Sequence, residues 1–272
     1  MESLRIELLG PKEELWQPQI EIITSKDWND PLDNSIKSEY PYNTAILKID
    51  LTCILCNYFE ITLIHELVHL ITWRKISKKW AAFKSLDSFH NRARIILNAY
   101  GELISDIIPM YATNGSGNEM ALFTLEEIAI LKSNTSEIYH GTMNSPFFRL
   151  RDASINHQSD ETFNFLKAPP PHYNVTKVSA HHLTAKARSH AWLRLQALSP
   201  QLSLKEAFDL LIDTTINEMV SQSNYAFILS SDQIADLTLE NVSLINDSFI
   251  DTFEGLLSDL LTAKQLADPS MN

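Results

Sequence analysis

The sequence predicts an α+β chain, with a small N-terminal mixed β-sheet followed by a predominantly helical remainder. Three observations predict it. Short apolar runs separated by turn residues fill positions 1–52. From about residue 55 the apolar residues recur at helical spacing. Only 6 glycines occur in 272 residues, which argues against an all-β sandwich or a glycine-rich nucleotide-binding fold.

LRIELL (4–9), QIEIIT (19–24) and TAILKID (44–50) read as strands, with KDWNDPLDN as turn material between the last two. A helix is predicted over 57–73 and another over 86–111, ending before the break at Gly115 to Gly117. TLEEIAILK reads as a short helix capped by Thr124. Residues 141–174, with Pro146 and the run Pro169 to Pro171, read as loop-rich around a helical piece at 161–166. Later helices are predicted over 178–198, 204–221 and 244–267. Ser203 and Glu206 have the spacing of a capping box for the second of these. There is no internal repeat.

Composition narrows the function classes. The net charge of -12 disfavours nonspecific attraction to nucleic acid or anionic membrane. No uninterrupted apolar stretch is long enough to span a bilayer. The opening MESLRIELLGPKEEL carries acids where a signal peptide needs a basic start and an apolar run. The expected location is therefore cytoplasmic, or outside the cell by export without a cleaved signal. Cys53 and Cys56 form a lone CxxC among apolar neighbours. One such pair cannot build a four-thiolate zinc site, and the two read as buried free thiols.

The chemistry concentrates in ITLIHELVHLITW (61–73). The helix is apolar nearly all round, yet its middle holds His65, Glu66 and His69 in the pattern HExxH. Positions i and i+4 share a helix face, so His65 and His69 can bind one ion together. Glu66 lies about 100° further round and can reach a water on that ion. Two imidazoles and a carboxylate are costly to bury unless something satisfies them, and a Zn2+ ion does so.

A third ligand must come from elsewhere. Position 75 is lysine, which removes the pattern with a histidine six residues after the second. Glu102 and Asp106, in GELISD, are i and i+4 on one predicted helix face. That spacing lets Glu102 bind a metal while Asp106 accepts an N–H from a ligating histidine. His90 is the other candidate.

HELVH followed by GELISD resembles the gluzincins, the thermolysin-like zinc peptidases, and more distantly the ImmA/IrrE-type peptidases. The resemblance covers residues 40–110. It implies a zincin-like core, His65, His69 and Glu102 as zinc ligands, Glu66 as general base and Asp106 behind a ligating histidine. The gap from His69 to Glu102 is longer than the usual thermolysin-type gap. On this reading residues 1–115 form the catalytic core and residues 116–272 a mainly helical lobe completing the cleft, the alternative being that both make one domain.

Peptide hydrolysis also needs a group for the oxyanion. Tyr111, Tyr139, His140, His157, His172, Tyr173, His181, His182 and His190 are candidates, and Asp152 is spaced to orient His157. His182 and His190 read as part of a solvated helix face. TAILKID is either an edge strand that pairs with an extended substrate or an ordinary interior strand.

The expected function is that of a zinc-dependent endopeptidase acting on a protein or peptide, with a specialised bacterial effector as one setting. The alternatives are a zinc hydrolase or aminopeptidase on small substrates, and a catalytically silent zinc-binding interaction module.

Overall fold

The computed structural model describes residues 2–10, 19–23, 36–39, 46–50, 59–79, 91–112, 183–221 and 239–267. In chain order these hold α1 (Glu2–Leu9), β1 (Gln19–Ile23), β2 (Ile36–Glu39), β3 (Ile46–Asp50), α2 (Phe59–Lys79), α3 (Asn91–Ala112), α4 (Ala185–Ala197), α5 (Leu204–Val220) and α6 (Leu239–Ala267). The predicted elements at 124–132 and 161–166, and the pair Cys53 and Cys56, lie outside the described residues.

The expectation of an α+β protein built on an N-terminal mixed β-sheet is corrected. The described residues are predominantly helical. Every residue of the described core lies on a helix or in a turn at a helix end. LRIELL is not a strand but the body of α1. Its i, i+4 spacing brings Leu4 to Leu8 and Arg5 to Leu9, and Arg5, Leu8 and Leu9 are buried. Gly10, at φ 86°, ends the helix, and its N–H donates to the Ile6 carbonyl at 2.8 Å. The apolar run was short enough to satisfy either period.

Three short extended segments remain. β3 pairs parallel with β1, Gln19 opposite Ile46, and antiparallel with β2, Ile36 opposite Ile49. β3 is thus the middle segment, paired on both sides, and has no free edge for a substrate.

The core is a helical assembly. α2 and α3 pack together, and α3 also meets α5 and α4. Leu67, Val68 and Ile71 of α2 join Tyr100, Leu103, Ile104 and Ile107 of α3 in one cluster with Phe208 and Leu211 of α5 and Phe249 and Phe253 of α6. Tyr100 and Phe249 meet with ring centroids 4.9 Å apart, which ties α3 to α6. α5 begins where its sequence says it should. The Ser203 hydroxyl accepts from the Glu206 N–H, and the Glu206 carboxylate accepts from the Ser203 N–H, a complete capping box.

α4 begins differently. The Thr184 hydroxyl does not cap it but donates to the Ala99 carbonyl of α3. The cap comes from α6 instead. Asn246 accepts from the Ala187 N–H at 2.8 Å and donates to the Leu183 carbonyl at 2.9 Å. A helix start left without a local cap is satisfied by a buried amide from another helix.

A candidate metal centre between two helices

α2 is buried over an unbroken run from Leu67 to Thr72, so its polar groups must be answered inside the protein. His65 and His69 are buried on the face that meets α3. α3 brings Glu102 to the same point. His69 Nε2 lies 3.0 Å from His65 Nε2 and 3.0 Å from Glu102 Oε2, and His65 Nε2 lies 3.2 Å from that same oxygen. Among the described residues this is the one group of three or more His, Cys, Asp or Glu side chains arranged to hold a metal ion.

The triangle fits zinc. Bonds of roughly 2.0–2.1 Å at tetrahedral angles put ligand atoms about 3.3 Å apart. The three observed edges are 3.0, 3.0 and 3.2 Å, slightly tighter than that spacing. Protons alone answer the group less well. Two facing Nε2 atoms and one carboxylate oxygen share few donors, whereas a cation accepts all three lone pairs. Among the described residues the cluster offers three ligands, the number that catalytic zinc sites take from the protein. The Glu102 side chain keeps 18% exposure, so the cluster is not sealed.

The other ring nitrogen of His65 is held from behind. Nδ1 lies 2.8 Å from the Ser105 carbonyl oxygen and 3.2 Å from Asp106 Oδ1. Both acceptors belong to α3, one turn beyond Glu102. They place the proton on Nδ1 and turn the Nε2 lone pair toward Glu102 and His69. Asp106 is fully buried, and Arg188 of α4 answers it, Nε to Oδ2 at 3.1 Å. This contact is an ion pair by distance rather than an aligned hydrogen bond.

Glu66 is half-buried, next to the cluster along α2. Tyr111, one of the oxyanion candidates, is committed elsewhere. Its hydroxyl donates to the Leu202 carbonyl at 2.7 Å, and burial followed by the nearby Glu206 charge pushes its pKa up. His190 sits with Arg194 around Glu254, at 2.7 Å from Oε1, on a partly exposed face of α4. His90, His140, His157, His172, His181, His182, Tyr139, Tyr173 and Asp152 lie outside the described residues.

Arg188 is the group that sequence reasoning missed. A signal existed: Arg188 falls four residues after Thr184 and four before Trp192, on the buried face of α4. An arginine on such a face needs a buried acid. That the acid is Asp106 depends on how α3 and α4 pack.

No family model matches the chain, and no curated protein or solved structure matches it. Among the described residues no helix is long and apolar enough to cross a membrane.

Proposed function

We propose that the chain is a zinc-dependent endopeptidase with His65, His69 and Glu102 as the metal ligands and Glu66 as general base. The convergence of His65 Nε2, His69 Nε2 and Glu102 Oε2 within 3.2 Å of one another carries this reading. The ligand order, two histidines of HExxH and then a glutamate on the following helix, is the gluzincin order, and the proposal stands on that set rather than on a sheet. A bound Zn2+ supplies a water acidic enough to lose a proton near neutral pH and polarises the scissile carbonyl. Glu66 takes the proton of the attacking water and passes it to the leaving amine. Ser105 and Asp106 hold His65 in the tautomer that leaves Nε2 free to bind.

The test is metal analysis paired with digestion of an unfolded protein such as reduced casein. Wild type carries one zinc and cleaves. Glu66→Gln keeps the zinc and loses activity by roughly 10²–10⁴-fold. A zinc-loaded wild type that cleaves neither casein nor a peptide library is a binding module. Cleavage confined to small amides or N-terminal residues marks the hydrolase or aminopeptidase alternative.

A further inference from the structure

α3 contains a proline in its interior, Pro109. In an α-helix the N–H of residue i bonds the carbonyl of residue i−4. Proline has no N–H, so residue 109 offers nothing to the carbonyl of Ser105. That carbonyl is the one 2.8 Å from His65 Nδ1. The residue with the missing donor and the carbonyl used by His65 are thus linked by helix geometry alone. A proline costs about 3 kcal/mol in a helix interior, yet this one stands in a buried, continuous helix beside the cluster.

We propose that Pro109 is a positioning residue: by withholding the helical N–H it reserves the Ser105 carbonyl for His65 Nδ1–H and so fixes the imidazole tautomer at the metal centre. A carbonyl can only accept, so its partner on His65 must be N–H. Asp106 Oδ1 adds a second acceptor at 3.2 Å, and its other oxygen faces Arg188. With Nδ1 protonated, the His65 Nε2 carries the lone pair that the ion needs. An alanine at 109 would return an N–H to the Ser105 carbonyl. The imidazole would then share its acceptor with a helical bond.

This assignment rests on the zinc reading for its effect on metal binding, but the tautomer is measured on metal-free protein and stands apart from it. The experiment compares the full-length wild type, Pro109→Ala, and a chain with lactic acid at position 109. Lactic acid puts an ester oxygen where the alanine N–H would be, without restoring the proline ring. Zinc affinity is read by competition with a chromophoric chelator, and the His65 tautomer by ¹⁵N NMR of the metal-free chains. Pro109→Ala is expected to bind zinc roughly tenfold more weakly and to show a mixed tautomer, the lactate chain to keep the wild-type affinity and an Nδ1–H imidazole. Three results would overturn the assignment: wild-type affinity and tautomer in Pro109→Ala, equal loss in the lactate chain, or failure of Pro109→Ala to fold. The last would mean that the proline serves packing. A wild type that binds no zinc but shows the expected tautomer pattern would sink the metal reading and leave the role of Pro109 intact.

Discussion

Arg188 Nε lies 3.1 Å from Asp106 Oδ2, and both side chains are essentially excluded from solvent. The aspartate faces His65 with its other oxygen, so the pair runs from α4 through α3 to the candidate metal ligand. Breaking a buried ion pair strands one charge, at a cost of about 3–5 kcal/mol. Arg188→Met should therefore destabilise the protein by that order in urea unfolding, and weaken zinc binding 10–100-fold. The double variant Arg188→Met/Asp106→Leu removes both charges and should recover much of the stability while zinc binding stays weak. Recovery of both together would show that the pair acts on folding alone.

Asn246 makes a second prediction. Its amide answers the Ala187 N–H and the Leu183 carbonyl at the start of α4, and donates also to the Val242 carbonyl. Asn246→Leu would leave the first two buried without a partner, which costs about 3 kcal/mol. Urea unfolding reads the loss directly. A change below about 0.5 kcal/mol, the size of an ordinary surface substitution, would mean that α4 does not depend on this cap.

Acid should loosen the contact between α2 and α5. Asp209 of α5 faces Lys75 of α2, at 3.1 Å, and Lys205 of its own helix. Burial alone would raise its pKa, but the bonds and charges of the two lysines outweigh burial and hold it below the usual 3.8. A depressed carboxylate stabilises the fold above its unfolded pKa, and that contribution is lost as pH falls through the folded value. Asp209→Asn should thus lower stability near neutrality by roughly 1 kcal/mol and flatten the decline below pH 3.8. A parallel acid decline in wild type and variant would assign the loss to other carboxylates.

Local chemistry was legible in the sequence where the partners are close in the chain. The Ser203 and Glu206 capping box forms as its spacing predicts. The helix carrying HELVH was expected over 57–73 and runs over Phe59–Lys79, and the expected 204–221 helix is Leu204–Val220. His65, His69, Glu102 and Asp106 were all named from spacing and resemblance. Asp106 lies behind His65, the place its i, i+4 relation to Glu102 suggested. What failed was the N-terminal period. LRIELL is too short to separate alternation from a helical stripe, and Gly10 was the better clue to a helix end. Arg188 and Asn246 were not legible because their roles are set by packing between distant helices. The Ser105 carbonyl was invisible for another reason: side-chain motifs do not record backbone acceptors, though Pro109 marks this one.

The central claim is that Glu102 completes a zinc site with His65 and His69. Equilibrium zinc titration against a chromophoric chelator, on wild type, Glu102→Ala and His90→Ala, tests it most directly. The account predicts one tight site per chain in wild type and in His90→Ala, and at least a hundredfold weaker binding in Glu102→Ala, on the scale expected for losing a ligand rather than an outer partner. Wild-type affinity in Glu102→Ala with loss in His90→Ala would contradict it, and a wild type with no zinc site would remove its foundation.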